Sequence, residues 1–273
     1  MKRNNISKLV VSYCIVMFSQ YAHAAFVGGI PAGYVCTGTC GTAGANGDVA
    51  LSPLGNSEYG YVVTNKGVTG VSPFSTGGER QGSKLVSNAF TAAAGDKLNF
   101  YFNYITSDGS GFADYSFARL LNASDNSQAA LLFTAQTKPT GNIIPAQGLP
   151  PPNAAIPTAV INPNASNWSP LGGDSGKCYG AGCGSTGWVL SSFDIAMAGN
   201  YLLEFGVINY TDNNYQSGLA FDGITIDGKP IDPPSGGRYP AQLGYLALQL
   251  LHLQVLVVEN QFKKFNLKHA WFF

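Results

Sequence analysis

The chain has 273 residues, 45% hydrophobic and 12% aromatic, and its 15 basic and 15 acidic side chains cancel to a formal charge of zero. That balance is uneven: between residues 25 and 237 fourteen Asp or Glu stand against eight Lys or Arg, a net of −6, and no basic stripe is present to track a nucleic acid, which argues against that partner. All three histidines (His23, His252 and His269) lie outside this stretch, so Ser-His-Asp and Cys-His catalysis and the commonest metal ligand are missing from the part long enough to fold as a domain.

The N-terminus carries Lys2, Arg3 and Lys8, an apolar run from Leu9 to Phe18, and the small-x-small pattern Ala22-His23-Ala24. Residues 1–24 therefore read as a secretory signal peptide cleaved before Ala25, with an apolar run too short to span a bilayer, which takes roughly 20 residues. Cys14 leaves with that segment, and four cysteines remain in two close pairs, Cys36 with Cys40 and Cys178 with Cys183. Outside the cytoplasm such thiols oxidise, and disulfides within each pair are expected, although four cysteines allow three connectivities. Zinc is disfavoured because the pairs lie far apart in sequence. The glycines Gly38, Gly41, Gly44 and Gly47 make a loop here, since no helix follows them to complete a phosphate cradle.

Next come the strand signals. From Lys97 to Thr106, Leu98, Phe100, Phe102 and Tyr104 alternate with Asn99, Tyr101 and Asn103, the period of a half-buried strand. Ala94-Gly95-Asp96 and Ser107-Asp108-Gly109-Ser110-Gly111 on either side are turn chemistry. A second strand, Ala113 to Leu121, follows so soon that an antiparallel pair with the first is expected. Further strands are predicted at Glu58 to Thr64, Lys84 to Phe90, Ala129 to Ala135, Gly187 to Ile195, Tyr201 to Asn209 and Ser217 to Ile226. Between Lys138 and Gly184 prolines dominate and exclude a sheet interior, leaving a functional loop or a mobile insertion. The fold class expected is all-β, a jelly-roll-like antiparallel β-sandwich over residues 25–232 with one long Pro/Gly-rich loop. Residues 233–242 read as a linker. Residues 243–273 form a hydrophobic and then basic tail, whose 243–258 stretch reads as a marginal anchor in weak association with a membrane, an amphipathic helix, or a non-native end without structural role.

No nucleotide, EF-hand or metalloprotease motif occurs, and no cofactor and no metal is assigned. Glu58, Glu79, Asp174, Glu204 and Asp222 are the carboxylates that a glycoside hydrolase would need in a pair, but spacing brings no two of them together. Asp108, Asp114, Asp212, Asp222 and Asp227 lie in or beside oxygen-rich turns that could hold calcium, and each is equally an ordinary turn residue. Aromatic side chains are the handle for a sugar or a protein: Trp168, Tyr179, Trp188, Tyr210 and Tyr215 are the candidate binding residues, with Trp168 stacking on a sugar if exposed and Trp188 packing in the core if it heads a strand.

The phrases Ala198-Gly199-Asn200-Tyr201-Leu202-Leu203-Glu204-Phe205-Gly206-Val207 and Gly218-Leu219-Ala220-Phe221-Asp222-Gly223-Ile224-Thr225-Ile226 resemble the exosortase-sorted (PEP-CTERM type) surface proteins of Gram-negative bacteria. The C-terminal sorting signal of that family is diverged or missing, since Ile231-Asp232-Pro233-Pro234-Ser235 stands in place of Pro-Glu-Pro and Trp271-Phe272-Phe273 in place of an arginine cluster. The resemblance implies a secreted or cell-surface protein of exopolysaccharide-producing, biofilm-forming cells. The function expected is non-catalytic binding of extracellular polysaccharide or a surface protein. A purely structural surface role and a glycan hydrolase or lyase are the alternatives.

Overall fold

The structure, a computed structural model, describes residues 26–231. The segments read as signal peptide (1–24), linker (233–242) and tail (243–273, including 243–258) lie outside the described residues.

In chain order the strands are β1 (Val35–Thr37), β2 (Thr39–Ala43), β3 (Tyr59–Val63), β4 (Val68–Thr69), β5 (Glu79–Val86), β6 (Phe90–Ala92), β7 (Lys97–Thr106), β8 (Tyr115–Asn122) and β9 (Gln128–Gln136). After the proline-rich stretch come β10 (Asn162–Pro163), a 3-10 turn at Ser169–Asp174, β11 (Gly184–Ser185), β12 (Val189–Asp194), β13 (Gly199–Tyr210), β14 (Ser217–Ile226) and β15 (Lys229–Pro230). One sheet runs β1-β5-β13-β8-β9, with β4 against β5 and β6 against β13. The other runs β10-β11-β7-β14-β3-β2, with β12 beside β7 and β15 beside β14.

Four antiparallel pairings nest inside one another along the chain: β8 with β9, β7 with β12, β5 with β13, and β3 with β14. A ribbon paired in this way and rolled on itself places β12-β7-β14-β3 in one sheet and β9-β8-β13-β5 in the other, which is a jelly roll. The nesting overturns one expectation. β7 and β8 do not form a hairpin, because each is already flanked on both sides, β7 by β14 and β12 and β8 by β13 and β9, and the bend 107–114 crosses from one sheet to the other. The strand predicted at 84–90 is displaced as well. β5 starts at Glu79, since the polar run Glu79-Arg80-Gln81 shows no hydrophobic period but its backbone pairs with β13, and Phe90 opens the separate β6.

Inward-facing residues interlock across the sandwich. Leu98, Phe100, Phe102 and Tyr104 of β7 are buried in the same cluster as Leu203, Phe205 and Val207 of β13. Phe205 stacks on Phe221 of the opposite sheet at 4.1 Å, Phe102 on Phe133 at 4.0 Å, and Phe100 meets Phe205 edge-on at 5.2 Å. Such aromatic pairs add about 0.5–1.5 kcal/mol each beyond the area they bury.

Both outer faces are covered too. Val49, Trp168 and Leu171 close over Tyr59, Val63, Ile105 and Ala220 on the β7/β14/β3 sheet, and Val71 and Ala146 close over Tyr115, Phe117 and Ile208 on the other. The stretch 138–184 is therefore a packed cover rather than a mobile insertion: Ile143, Ile144, Ala154, Ala159 and Ile161 join the main core. Its one short strand, β10, lies at the sheet edge, where a proline removes no interior hydrogen bond. Both disulfides are local, as expected. Cys36–Cys40 ties β1 of one sheet to β2 of the other, and Cys178–Cys183 closes the loop before β11. Loops this short remove little unfolded-state entropy, about 2 kcal/mol at most, so the bridges pin loops more than they hold the core.

Gly206 shows how tight the outer packing is. It sits opposite Phe117, and a Cβ there would lie 2.2 Å from Phe117 Cζ, while Phe74 packs edge-on against that ring at 5.7 Å. Gly206→Ala is expected to lose about 1–3 kcal/mol in urea unfolding through overpacking, whereas Gly173→Ala, with open space at its Cβ, should change stability by less than about 0.5 kcal/mol.

Candidate functional site

The two candidate tryptophans, Trp168 and Trp188, are structural. Trp168 is 0% exposed: its ring lies over Gly218, where a Cβ would come within 2.3 Å of Cζ3, its Nε1 donates to Tyr59 Oη at 2.9 Å, and Tyr61 packs edge-on at 5.5 Å. Pro170 starts the 3-10 turn immediately after it and folds the segment back onto the sheet. The expectation that Trp168 stacks on a sugar is corrected, because no face of the ring reaches solvent. Trp188 is half-buried, donates from Nε1 to Ala50 O at 2.9 Å and packs on Tyr59 at 5.5 Å, so it clamps the 46–54 cover to the sheet.

Tyr179 and Tyr215 meet at the other candidate location, the loop end where 107–114, 176–183 and 210–217 approach, whereas Tyr210 packs on Tyr115 at 6.2 Å and lines an adjacent cavity. Tyr179 is 53% exposed and lies 4.8 Å from Tyr215 and 5.3 Å from Phe112. Backbone bonds fix this arrangement: Tyr179 N donates to Ser107 O at 2.9 Å and Ser110 N to Ala181 O at 2.8 Å. Gly109 and Gly180 allow the approach, since a Cβ on Gly109 would press on Tyr179 Cδ1 at 3.2 Å. The loop bearing Phe112 also lines a cavity of about 380 Å³, bounded by Ser110, Tyr115, Gln136, Gln147, Tyr210 and Thr76. Thr76 Oγ1 shares a hydrogen bond with Tyr210 Oη at 3.2 Å, and Tyr115 Oη shares one with Ser72 at 2.7 Å. A hollow of about 590 Å³ opens next to it along Thr69, Ser72, Phe74 and Arg80. Phe112, Thr76 and Gln136 were missed in the sequence because no periodicity links a turn phenylalanine to residues tens of positions away.

Each carboxylate weighed for hydrolysis is already engaged elsewhere. Glu58 accepts from Gly28 N–H, and Glu79 accepts from the Thr76 hydroxyl and from the Thr76 and Gly77 N–H groups. Burial opposes ionisation of Glu79, yet these bonds hold its carboxyl below the usual range. Glu204, 2% exposed, is gripped by Arg119 at 2.6 Å and Lys84 at 3.2 Å, which makes a buried ion triad. Asp222 accepts from Ser52 and Asn56 and holds the 50–57 loop on the sheet, and Asp174 pairs with Lys177 at 3.4 Å.

The aspartates at the loop end are in a different state. Asp114 is fully buried, accepting from Tyr210 N at 2.8 Å and Ser217 Oγ at 2.7 Å, and burial, with Asp108 nearby, pushes its carboxyl well above the usual range. Burial is also the main cause that pushes Asp108 up to about 7, against the Gly109 N–H bond and with help from Asp212 and Asp174. Asp227 caps Lys97 N–H in an exposed turn.

No protein-family profile matches the sequence, and no curated protein matches it. Among solved structures it is similar to the K1 cleaved adhesin domain of Lys-gingipain from Porphyromonas gingivalis W83, at a TM-score of 0.36 and 11% identity over 74% of this chain and 94% of that one. The K3 cleaved adhesin domain of the same protein is similar at a TM-score of 0.34 and 13% identity, covering 77% and 96%.

Two outcomes follow from the charged groups. Arg119→Ala should cost about 3–5 kcal/mol in chemical unfolding, because it leaves the buried Glu204 with Lys84 alone, whereas the joint replacement Arg119→Met with Glu204→Leu should be nearly neutral. For Asp108 the folded carboxyl titrates near 7 and the unfolded one near 3.8, so the folded state holds a proton between those values that the unfolded chain has released. The contribution of Asp108 to stability therefore falls as pH rises from about 4 to about 7 and levels off above. In chelator-treated buffer Asp108→Asn should gain about 1–3 kcal/mol at pH 8 and nothing at pH 4, as read by thermal melts across that range.

Proposed function

We propose that this chain is an exported, non-catalytic jelly-roll protein of the cell surface or extracellular matrix that binds polysaccharide at its loop end. Its sorting would follow the exosortase-sorted surface proteins that its sequence resembles. The observation that carries the reading is the exposed Tyr179, braced by Tyr215 and Phe112, beside a hydroxyl- and amide-lined cavity that includes Tyr210. An apolar ring face buries the C–H face of a sugar, while Gln136, Gln147 and Ser110 offer donors and acceptors for its hydroxyls. The non-catalytic part rests on the carboxylates, each of which is engaged by other side chains or backbone groups.

Affinity electrophoresis through gels containing neutral, acidic or amino polysaccharides tests the proposal. Retardation by at least one polysaccharide is expected, weakened about tenfold by Tyr179→Ala and by Tyr210→Ala, the loss of roughly one aromatic contact each. Trp168→Phe should leave it unchanged. Mobility indifferent to every polysaccharide, or binding retained in the Tyr179→Ala/Tyr210→Ala double variant, would refute it.

A further inference from the structure

The hollow of about 590 Å³ beside the Tyr210 cavity carries a charge that the cavity lacks. Thr76 lines the cavity, while Ser75 and Gly77 on either side of it line the hollow, and Tyr115 of the cavity shares a hydrogen bond with Ser72 of the hollow at 2.7 Å. The two concavities therefore meet across one turn. Tyr210 joins them from the strand side: it stands opposite Glu79 in the ladder, and a Cβ on Gly78 would lie 2.2 Å from its Cζ.

Arg80 is the one basic side chain that lines either concavity. Its Nε donates to Thr211 O at 2.9 Å and its Nη1 to Glu79 O at 3.3 Å, while Nη2 makes no hydrogen bond among the described residues. Two backbone carbonyls thus hold the guanidinium in place, and both N–H groups of Nη2 and one of Nη1 remain for a planar anion, which such a fork takes through paired N–H···O bonds. Glu79, the one acid in the hollow, does not compete for it. Its Oε1 accepts from the N–H and the hydroxyl of Thr76 at 2.8 and 2.7 Å and its Oε2 from Gly77 N–H at 2.8 Å, and among the described residues Arg80 forms no ion pair.

The rest of the lining suits a sugar ring. Phe74 offers an apolar ring, and the hydroxyls of Thr69 and Ser75 are exposed beside it. The field of the whole domain, with fourteen acids against eight bases over residues 25–237, repels a polyanion at long range, so an acidic ligand must be selected by contact at this guanidinium and not by steering. Resting on the polysaccharide reading above, we propose that the hollow is a second sugar subsite that takes the carboxylate of a uronic acid unit on Arg80, and that the ligand is an acidic polysaccharide lying from Tyr179 past Tyr210 to Arg80. Arg80 is then the residue that sets specificity for the acid, while the aromatic rings bind acidic and neutral sugars alike.

Alginate, polygalacturonate, hyaluronan and xanthan, each beside its carboxyl-reduced form, are the probes, cast into native gels through which the full chain migrates. For at least one pair the acidic form is expected to bind about fivefold more tightly than the reduced form, the upper range for one exposed ion pair. Arg80→Gln should erase that difference and leave retardation by the reduced form unchanged, and Arg80→Lys should restore only part of it, because an ammonium lacks the planar fork. Arg80 is exposed, so these variants remove no core contact. Lys229→Gln, an exposed base outside both concavities, should change nothing. Equal retardation by both forms of every pair, or a preference for the acid that survives Arg80→Gln, would overturn the proposal. Retardation by reduced or neutral polymers alone would leave the glycan reading standing and remove the acidic one, and indifference to every polymer would remove both.

Discussion

Burial of both faces of both sheets is the constraint on which the rest of this molecule depends. Jelly-roll pairing joins the two sheets through stacked rings such as Phe205 on Phe221, and Ile143, Ile144 and Ile161 of the long loop add to this inner layer. The outer faces are apolar as well, with Tyr59, Val63 and Ile105 on one and Tyr115, Phe117 and Ile208 on the other. Left bare, these patches would favour association of chains, so the loops must serve as covers. The 46–54 and 164–175 segments seal one face, with Trp168 and Trp188 as the two clamps. On the other face Val71, Phe74 and Ala146 seal Phe117, and the fit is imperfect near Tyr210, where the cavity opens.

Covering loops have backbone and side-chain polar groups of their own, and these concentrate where the sandwich closes. At that end Tyr104 Oη donates to Asp114 O at 2.8 Å, Ser217 Oγ donates to Asp114 Oδ2 at 2.7 Å and shares a hydrogen bond with the Thr106 hydroxyl at 2.8 Å, and Thr64 Oγ1 donates to Gln216 Oε1 at 2.7 Å. The network fastens strands of both sheets to three loops in a low-dielectric setting, where a satisfied bond is strong and an unsatisfied one costly. Two buried oxygens without a donor, Asp108 Oδ2 and Asn209 Oδ1, stand at the same end. Their surroundings also set the pH behaviour, since carboxyls removed from water and close to one another hold their protons longer.

The aromatic patch and this polar plug share backbone. Tyr179 is positioned by its bond to Ser107, the residue before Asp108, and Tyr215 precedes Gln216, whose amide is tied to Asp174.

Much of the fold is legible in the chain itself. Period-two alternation marks β7 and β13, and β14 matches its predicted bounds of Ser217 and Ile226, because a strand between two apolar layers must present side chains to alternate faces. The cysteine pairs are legible for the same kind of reason, being held close by a few intervening residues. Alternation is a local property, and it carries no information about which strand lies beside which. The nested pairing that parts β7 from β8, the burial of Trp168 above Gly218, the grip of Arg119 on Glu204 and the meeting of Tyr179 with Tyr215 all join residues distant in sequence. Those distances close only when the ribbon rolls up, and so the tertiary structure alone decides which aromatic rings face water and which carboxylates are buried with their partners.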